Sequence, residues 1–249
     1  MIALEIIPAI DLMDSKVVRL KQGKTTERFD YEIGKSAIEI ASEWIREGAK
    51  TLHIIDLDRA LGVGSNLTLI HNLMENLDIS FQIGGGLRKP DDVKDILDIP
   101  QTTVMIGTLA LQDPDAVSNL VIDYGADRIM VALDYRAGVV LTKGWTQSGD
   151  VRLDSALDRF LRLGIESFLL TSVDRDGMLC GPDLDTLARE AGREGIRITA
   201  AGGISSLPDI ELLGATGVVA SVLGRALYEK VFSLQEAIEL AREMDCNGT

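Results

Sequence analysis

Eight short apolar runs, at 5–10, 51–57, 80–84, 102–106, 128–133, 166–171, 196–201 and 217–223, alternate along the chain with segments of helical period. Each run is apolar or rich in β-branched residues and bounded by turn or cap residues, which reads as a buried strand. The segments between them include "KSAIEIASEWIREGAK", "LTLIHNLMENL", "DPDAVSNLVIDYGA" and "LDTLAREAGREG", and several end on a glycine suited to capping a helix. The runs lack a clean polar alternation, as expected of a parallel sheet covered on both faces. Eight strand–helix units in 249 residues fit an α/β chain folded as one (β/α)8 TIM barrel. A doubly wound open sheet is the alternative, and the regular alternation disfavours it.

Half of the chain resembles the other half. "IGGGLR" (83–88) matches "AAGGIS" (200–205), and "MIGTLAL" (105–111) matches "VLGRALY" (222–228), both at an offset of 117 residues. "HIIDLDRALGVGSNL" (53–67) and "LLTSVDRDGMLCGPDL" (169–184) form a third pair, and "IPAIDL" (7–12) and "MVALDYR" (130–136) a fourth. Four pairs in one order at nearly one offset predict two homologous half-barrels, about 1–123 and 124–249. Asp11 and Asp134 then occupy equivalent places near the ends of the first and fifth barrel strands, across the barrel from each other.

The C-terminal face of such a barrel carries the active site, so residues near strand ends are its candidates. Glycines there form two sets. Gly84, Gly85 and Gly86 with Gly107 and Thr108 predict one anion cradle, and Gly202 and Gly203 with Gly224 and Arg225 predict the other, because a glycine turn opening a helix presents backbone N–H groups to a ligand. Tight turning alone is the competing explanation for any single glycine. Two matched sets point to a substrate with a phosphate at each end, over which Asp11 and Asp134 can serve as general acid and general base. Asp56, Asp58, Asp174 and Asp176 are weaker candidates, since "DLDR" and "DRDG" also suit capping and turns. Asp176 and Gly177 are kept as binding candidates. His53 and His71 read as packed or surface histidines.

Composition narrows the partners. A formal charge of −14 disfavours binding of nucleic acid or an anionic membrane by the surface as a whole. No apolar run approaches the length of a membrane span, and the start "MIALEIIPAIDL" has no signal-peptide pattern, so a cytoplasmic protein is expected. Two cysteines, Cys180 and Cys246, make no disulfide framework and have no neighbouring ligand at metal spacing, so no metal site is expected.

The set "IPAIDL", "VVRLKQG", "HIIDLD", "IGGGLR", "VALDYRAG", "KGW", "DRDGMLCGPD", "AAGGIS" and "GRALY" resembles, over nearly the whole chain and in order, the histidine-biosynthesis isomerases acting on phosphoribosylformimino-aminoimidazole carboxamide ribonucleotide (ProFAR). The cyclase subunit of imidazole glycerol phosphate synthase shares the repeat, the aspartates and "DRDG"; "KGW" at 143–145 and the absence of a cysteine from the first strand favour the isomerase. The resemblance implies an Amadori rearrangement of an aminoaldose to an aminoketose, needing no cofactor or metal, with Asp11 as base, Asp134 as acid and Thr171 hydrogen-bonding nearby. The residues alone leave the two aspartates interchangeable. It further implies that Trp145 stacks on the substrate, and that Arg19 and Arg88 face its anionic or carboxamide parts. The expected partner is a bis-phosphorylated small molecule, and the enzyme is expected to act as a monomer. A bifunctional isomerase acting also on phosphoribosylanthranilate is the close variant. Two departures, Ser15 where Gly is common before "KVV" and Thr146–Gln147 where a Glu commonly follows "KGW", fall in the first and fifth loops, read as 13–33 and 135–150.

Overall fold

The computed structural model describes residues 4–21, 24–30, 34–142 and 147–247. Its strands, in chain order, are β1 (Glu5–Met13), β2 (Lys16–Lys21), β3 (Lys24–Asp30), β4 (Thr51–Asp56), β5 (Ser80–Gly84), β6 (Thr102–Ile106), β7 (Ile129–Arg136), β8 (Val139–Thr142), β9 (Gln147–Arg152), β10 (Ser167–Ser172), β11 (Arg197–Ala201) and β12 (Ala220–Leu223). Eight of them, β1, β4, β5, β6, β7, β10, β11 and β12, form one parallel ring. The ring closes because β1 pairs with both β4 and β12, while β7 pairs with both β6 and β10. An open doubly wound sheet would leave two edges, so closure decides for the (β/α)8 barrel. These eight strands fall on the eight runs read from the sequence.

The other four strands lie where loops were expected. Strands β2 and β3 extend antiparallel from β1, and β8 and β9 extend antiparallel from β7. Polar runs such as "KTTERFD" gave no apolar period to read, yet β1 and β7 continue past the barrel and offer their backbone groups to an antiparallel partner. Both strands are therefore longer than the apolar runs that begin them, and Asp11 and Asp134 sit within strands rather than at their ends.

Alternation along each strand separates two buried faces. Ile10 and Leu12 of β1, Val131, Leu133 and Tyr135 of β7, and Phe168 and Leu170 of β10 belong to the large core between the ring and its helices. Ala9, Met130 and Leu169 join Met105 and Val222 in a smaller cluster inside the barrel. Since side chains alternate with period two, Asp11 follows Ala9, Asp134 follows Met130 and Ala132, and Thr171 follows Leu169 along interior rows. Both faces are apolar, which explains why the sequence shows no polar alternation.

The helices follow from ordinary rules. In Ala37–Arg46 the buried side chains are Ala37, Ile40, Ala41 and Trp44, one stripe at helical spacing, and Ser36 with Glu39 closes a capping box. Helix Leu57–Leu61 starts on Asp56, whose carboxylate accepts from Arg59 N–H at 3.1 Å. Among the described residues no helix is long and apolar enough to cross a membrane.

Candidate active site

Above the interior cluster the barrel opens into a cavity of about 590 Å³, within the range of small-molecule sites. Its floor is aliphatic, formed by Ala9, Ile55, Met105, Ala132, Leu169 and Val222. Asp11, Asp134 and Thr171 line it directly above that floor. Asp11 and Thr171 are buried, and Asp134 is half-buried. In the ring, Asp134 is registered against Thr171, and Asp11 against Ile55, so the two carboxyl groups approach the cavity from different strands.

The glycine sets line the same cavity. Gly84, Gly85 and Gly86 follow or end β5, while Gly202 and Gly203 follow β11. Gly86 (φ 67°) and Gly203 (φ 93°) hold equivalent places, and both are pressed on backbone. A Cβ on Gly86 would stand 2.3 Å from the Arg59 carbonyl oxygen, and one on Gly203 would stand 2.3 Å from that of Gly181. No L side chain fits either contact, so close packing of the turn on the preceding loop explains these glycines whatever else they do. Gly107 (φ −102°, ψ −80°) and Gly224 (φ −113°, ψ −97°) also share a conformation, each as N-cap of a short helix, Thr108–Gln112 and Arg225–Tyr228. The first N–H groups of a helix have no intrahelical partner, so each turn offers donors at the cavity wall. Tyr228 fastens the second of these helices: its hydroxyl donates to Ala9 O at 3.1 Å, and its ring meets Trp44 edge-on at 5.4 Å.

The two arginines at the cavity hold loops in place. Arg88 donates to the carbonyls of Arg59 (3.3 Å) and Ala60 (2.6 Å) at the end of helix Leu57–Leu61. Arg225 donates to Gly177 O at 2.5 Å, and through Nε to Glu229. Arg88 therefore secures the loop after β4 and Arg225 the loop after β10, each beside a glycine set. Thr108, Asp176 and Gly177 also line the cavity. Of Arg19 only the backbone, in β2, is described, and Trp145 lies outside the described residues.

Asp56, Asp58 and Asp174 do not line the cavity. Asp56 caps its helix and binds Asn66, Asp58 accepts from Asp14 N–H at 2.8 Å, and Asp174 pairs with Arg136 at 2.7 Å on the surface. His53 is packed, as read, at 5% exposed with its Nδ1 3.1 Å from Gln82 Oε1, and it also lines the cavity. Counting back by two from Ile55 along the interior row of β4 was the signal available in the sequence. Next to Asp134, Tyr135 faces outward and donates to Asp183 Oδ2 at 3.0 Å; burial and then that carboxylate push its phenol above the ordinary range.

The family profile described as histidine biosynthesis protein matches residues 5–233 of the chain. This chain belongs to that family. An archaeal relative from Cenarchaeum symbiosum is 37% identical over 235 residues, covering 94% of this chain and 99% of its own. A relative from Methanosphaera stadtmanae is 38% identical, covering 94% and 98%, and one from Haloquadratum walsbyi is 39% identical, covering 95% of both chains. Each is named 1-(5-phosphoribosyl)-5-((5-phosphoribosylamino)methylideneamino) imidazole-4-carboxamide isomerase.

Proposed function

We propose that this member of the family is an aldose–ketose isomerase of histidine biosynthesis, converting the aminoaldose ProFAR into the aminoketose PRFAR. The observation that carries the reading is the placement of Asp11 and Asp134 in one cavity flanked by two equivalent glycine turns, each opening a short helix. The relatives' names describe a molecule with two phosphoribosyl groups, and a site with two anion cradles suits it. The matching backbone at Gly107 and Gly224 supports reading the chain as one domain built from two half-barrels, about 1–123 and 124–249.

In the reaction, the carboxylic acid of Asp134 protonates the ring oxygen of the aminoaldose as the C1–O bond breaks. The amino nitrogen's lone pair moves in to form the C1=N bond of an imine cation. Asp11 carboxylate then takes the proton from C2, and the C–H electrons form C1=C2 while the C1=N pair returns to nitrogen, giving an enolamine. Loss of the C2 hydroxyl proton and gain of a proton at C1 complete the aminoketose. Every step moves a proton, so two carboxyl groups of differing protonation suffice and neither metal nor cofactor is required. Thr171, registered beside Asp134, supplies a hydroxyl near the acid. Arg19 and Trp145 contact the substrate, as the resemblance implies. The enzyme acts in the cytoplasm as a monomer.

Incubating the purified chain alone with ProFAR, without ammonia or a glutaminase, and following conversion spectroscopically tests the reading. Formation of PRFAR is expected, and no conversion would overturn it. The same assay with phosphoribosylanthranilate decides whether a second activity exists.

A further inference from the structure

Beneath the turn joining β1 to β2 lies a polar cluster that the acid–base chemistry does not use. Asn66 is 2% exposed, Asp56 2% and Asp58 6%. Asn66 Nδ2 donates to Asp56 Oδ1 at 2.7 Å, to Asp58 Oδ2 at 3.0 Å and to the Leu12 carbonyl at 3.3 Å. Its Oδ1 accepts the Ser15 N–H at 2.9 Å, while Asp58 Oδ2 also accepts the Asp14 N–H at 2.8 Å. One amide side chain thus joins the loop after β4 to the carbonyl next to Asp11 and to the first hairpin's turn.

That turn needs holding. Asp14 (φ 52°) and Ser15 (φ 58°) both adopt the left-handed conformation that L residues disfavour. Such a pair is what a two-residue hairpin turn demands, and with no glycine in it the conformation persists only where its surroundings impose it. The turn sets the register in which Met13, Leu12 and Asp11 face Lys16, Val17 and Val18. Arg19 is the next residue after Val18.

We propose that Asn66, acting with Asp58, is a positioning residue that imposes the Asp14–Ser15 turn and so holds β2, which carries Arg19, in its substrate-binding register against β1. Without it the hairpin spends part of its time out of register, and substrate binding weakens by the fraction lost. The catalytic half of this inference rests on the isomerase reading; the structural half does not.

The test combines hydrogen exchange with steady-state kinetics on ProFAR. In Asn66→Ala, amides of 14–21 are expected to exchange at least about tenfold faster while helix Leu207–Gly214 is unchanged, and KM to rise about tenfold with kcat altered less than about threefold. Adding Ser15→Gly, which accepts the turn without strain, is expected to bring KM back to within about threefold of wild type. An unchanged KM and exchange pattern, or a KM that Ser15→Gly does not lower, overturns the proposal. If Asn66→Ala does not fold, Asp58→Asn keeps the shape and weakens one acceptor, with faster exchange at Asp14 expected and unaltered exchange overturning the inference. A wild-type protein inactive on ProFAR would refute the isomerase reading, and the exchange measurements would still decide the clamp.

Discussion

Gly203→Ala and Gly125→Ala compare two glycines of nearly equal φ, 93° and 92°, in different surroundings. A methyl group at Gly125, which caps helix Pro114–Tyr124, meets nothing within 4 Å. With ψ 147° the conformation of Gly125 is one L residues rarely adopt, and the cost is a strain of about 1–3 kcal/mol, less about 0.4–1 kcal/mol regained because alanine restricts the unfolded chain. A net loss of about 1 kcal/mol lowers Tm by about 3 °C in a chain of this size. At Gly203 the same strain is joined by a Cβ 2.3 Å from Gly181 O, where ordinary contact begins at 3.4 Å. The turn must move by about 1 Å against backbone, and the bond from Gly181 N–H to Gly203 O (2.9 Å) is stretched or lost. Overpacking of this kind adds about 1–3 kcal/mol, so Gly203→Ala is expected to lower Tm by about 5–12 °C. Because Gly203 lines the cavity, its KM for ProFAR should also rise about tenfold, while Gly125→Ala keeps wild-type kinetics. Thermal unfolding and initial rates on both variants make the comparison. Equal Tm losses with equal kinetics would refute the argument that close backbone packing, rather than conformation alone, requires glycine there.

Tyr135→Phe tests the buried phenol. Its pKa is raised from 10.0, so its stabilising effect is complete below about pH 10 and is lost as pH rises toward the folded-state value. Wild type should therefore lose stability above about pH 10 more steeply than Tyr135→Phe in denaturant titrations, and parallel curves would contradict this. Arg225→Ala removes the bond to Gly177 O, and is expected to raise KM about tenfold with kcat less affected, as read by initial rates. Arg88→Ala should act similarly through the Arg59 and Ala60 carbonyls and loosen the loop after β4, as read by hydrogen exchange over 57–64.

The barrel was legible because burial on both faces of a parallel strand leaves an uninterrupted apolar run, and eight of these stood out. What escaped was the continuation of β1 and β7 into hairpins. Residues such as Arg136 and Lys16 pair through backbone groups that carry no side-chain signature, so the apolar run ended before the strand did. The cavity's glycines were visible as a repeat, but not the reason for them, since the carbonyl pressing on Gly86 comes from Arg59 in another loop. Asp56 and Asp58 were weaker site candidates because "DLDR" also suits capping; Asp56 does cap its helix, whereas Asp58 accepts from Asp14 N–H, 44 residues away, which no local pattern shows. His53 was read only as a packed or surface histidine, and the interior row shows that it also faces the cavity. Asn66 gave no signal, because its partners lie up to 54 residues away.

The central claim is that Asp11 and Asp134 move the protons. Turnover of ProFAR by Asp11→Asn and by Asp134→Asn, each checked for native Tm, tests it most directly. Each substitution keeps shape and removes proton transfer, so kcat should fall by about 10²–10⁴ in both while KM changes little. Near-wild-type turnover by either folded variant would contradict the claim.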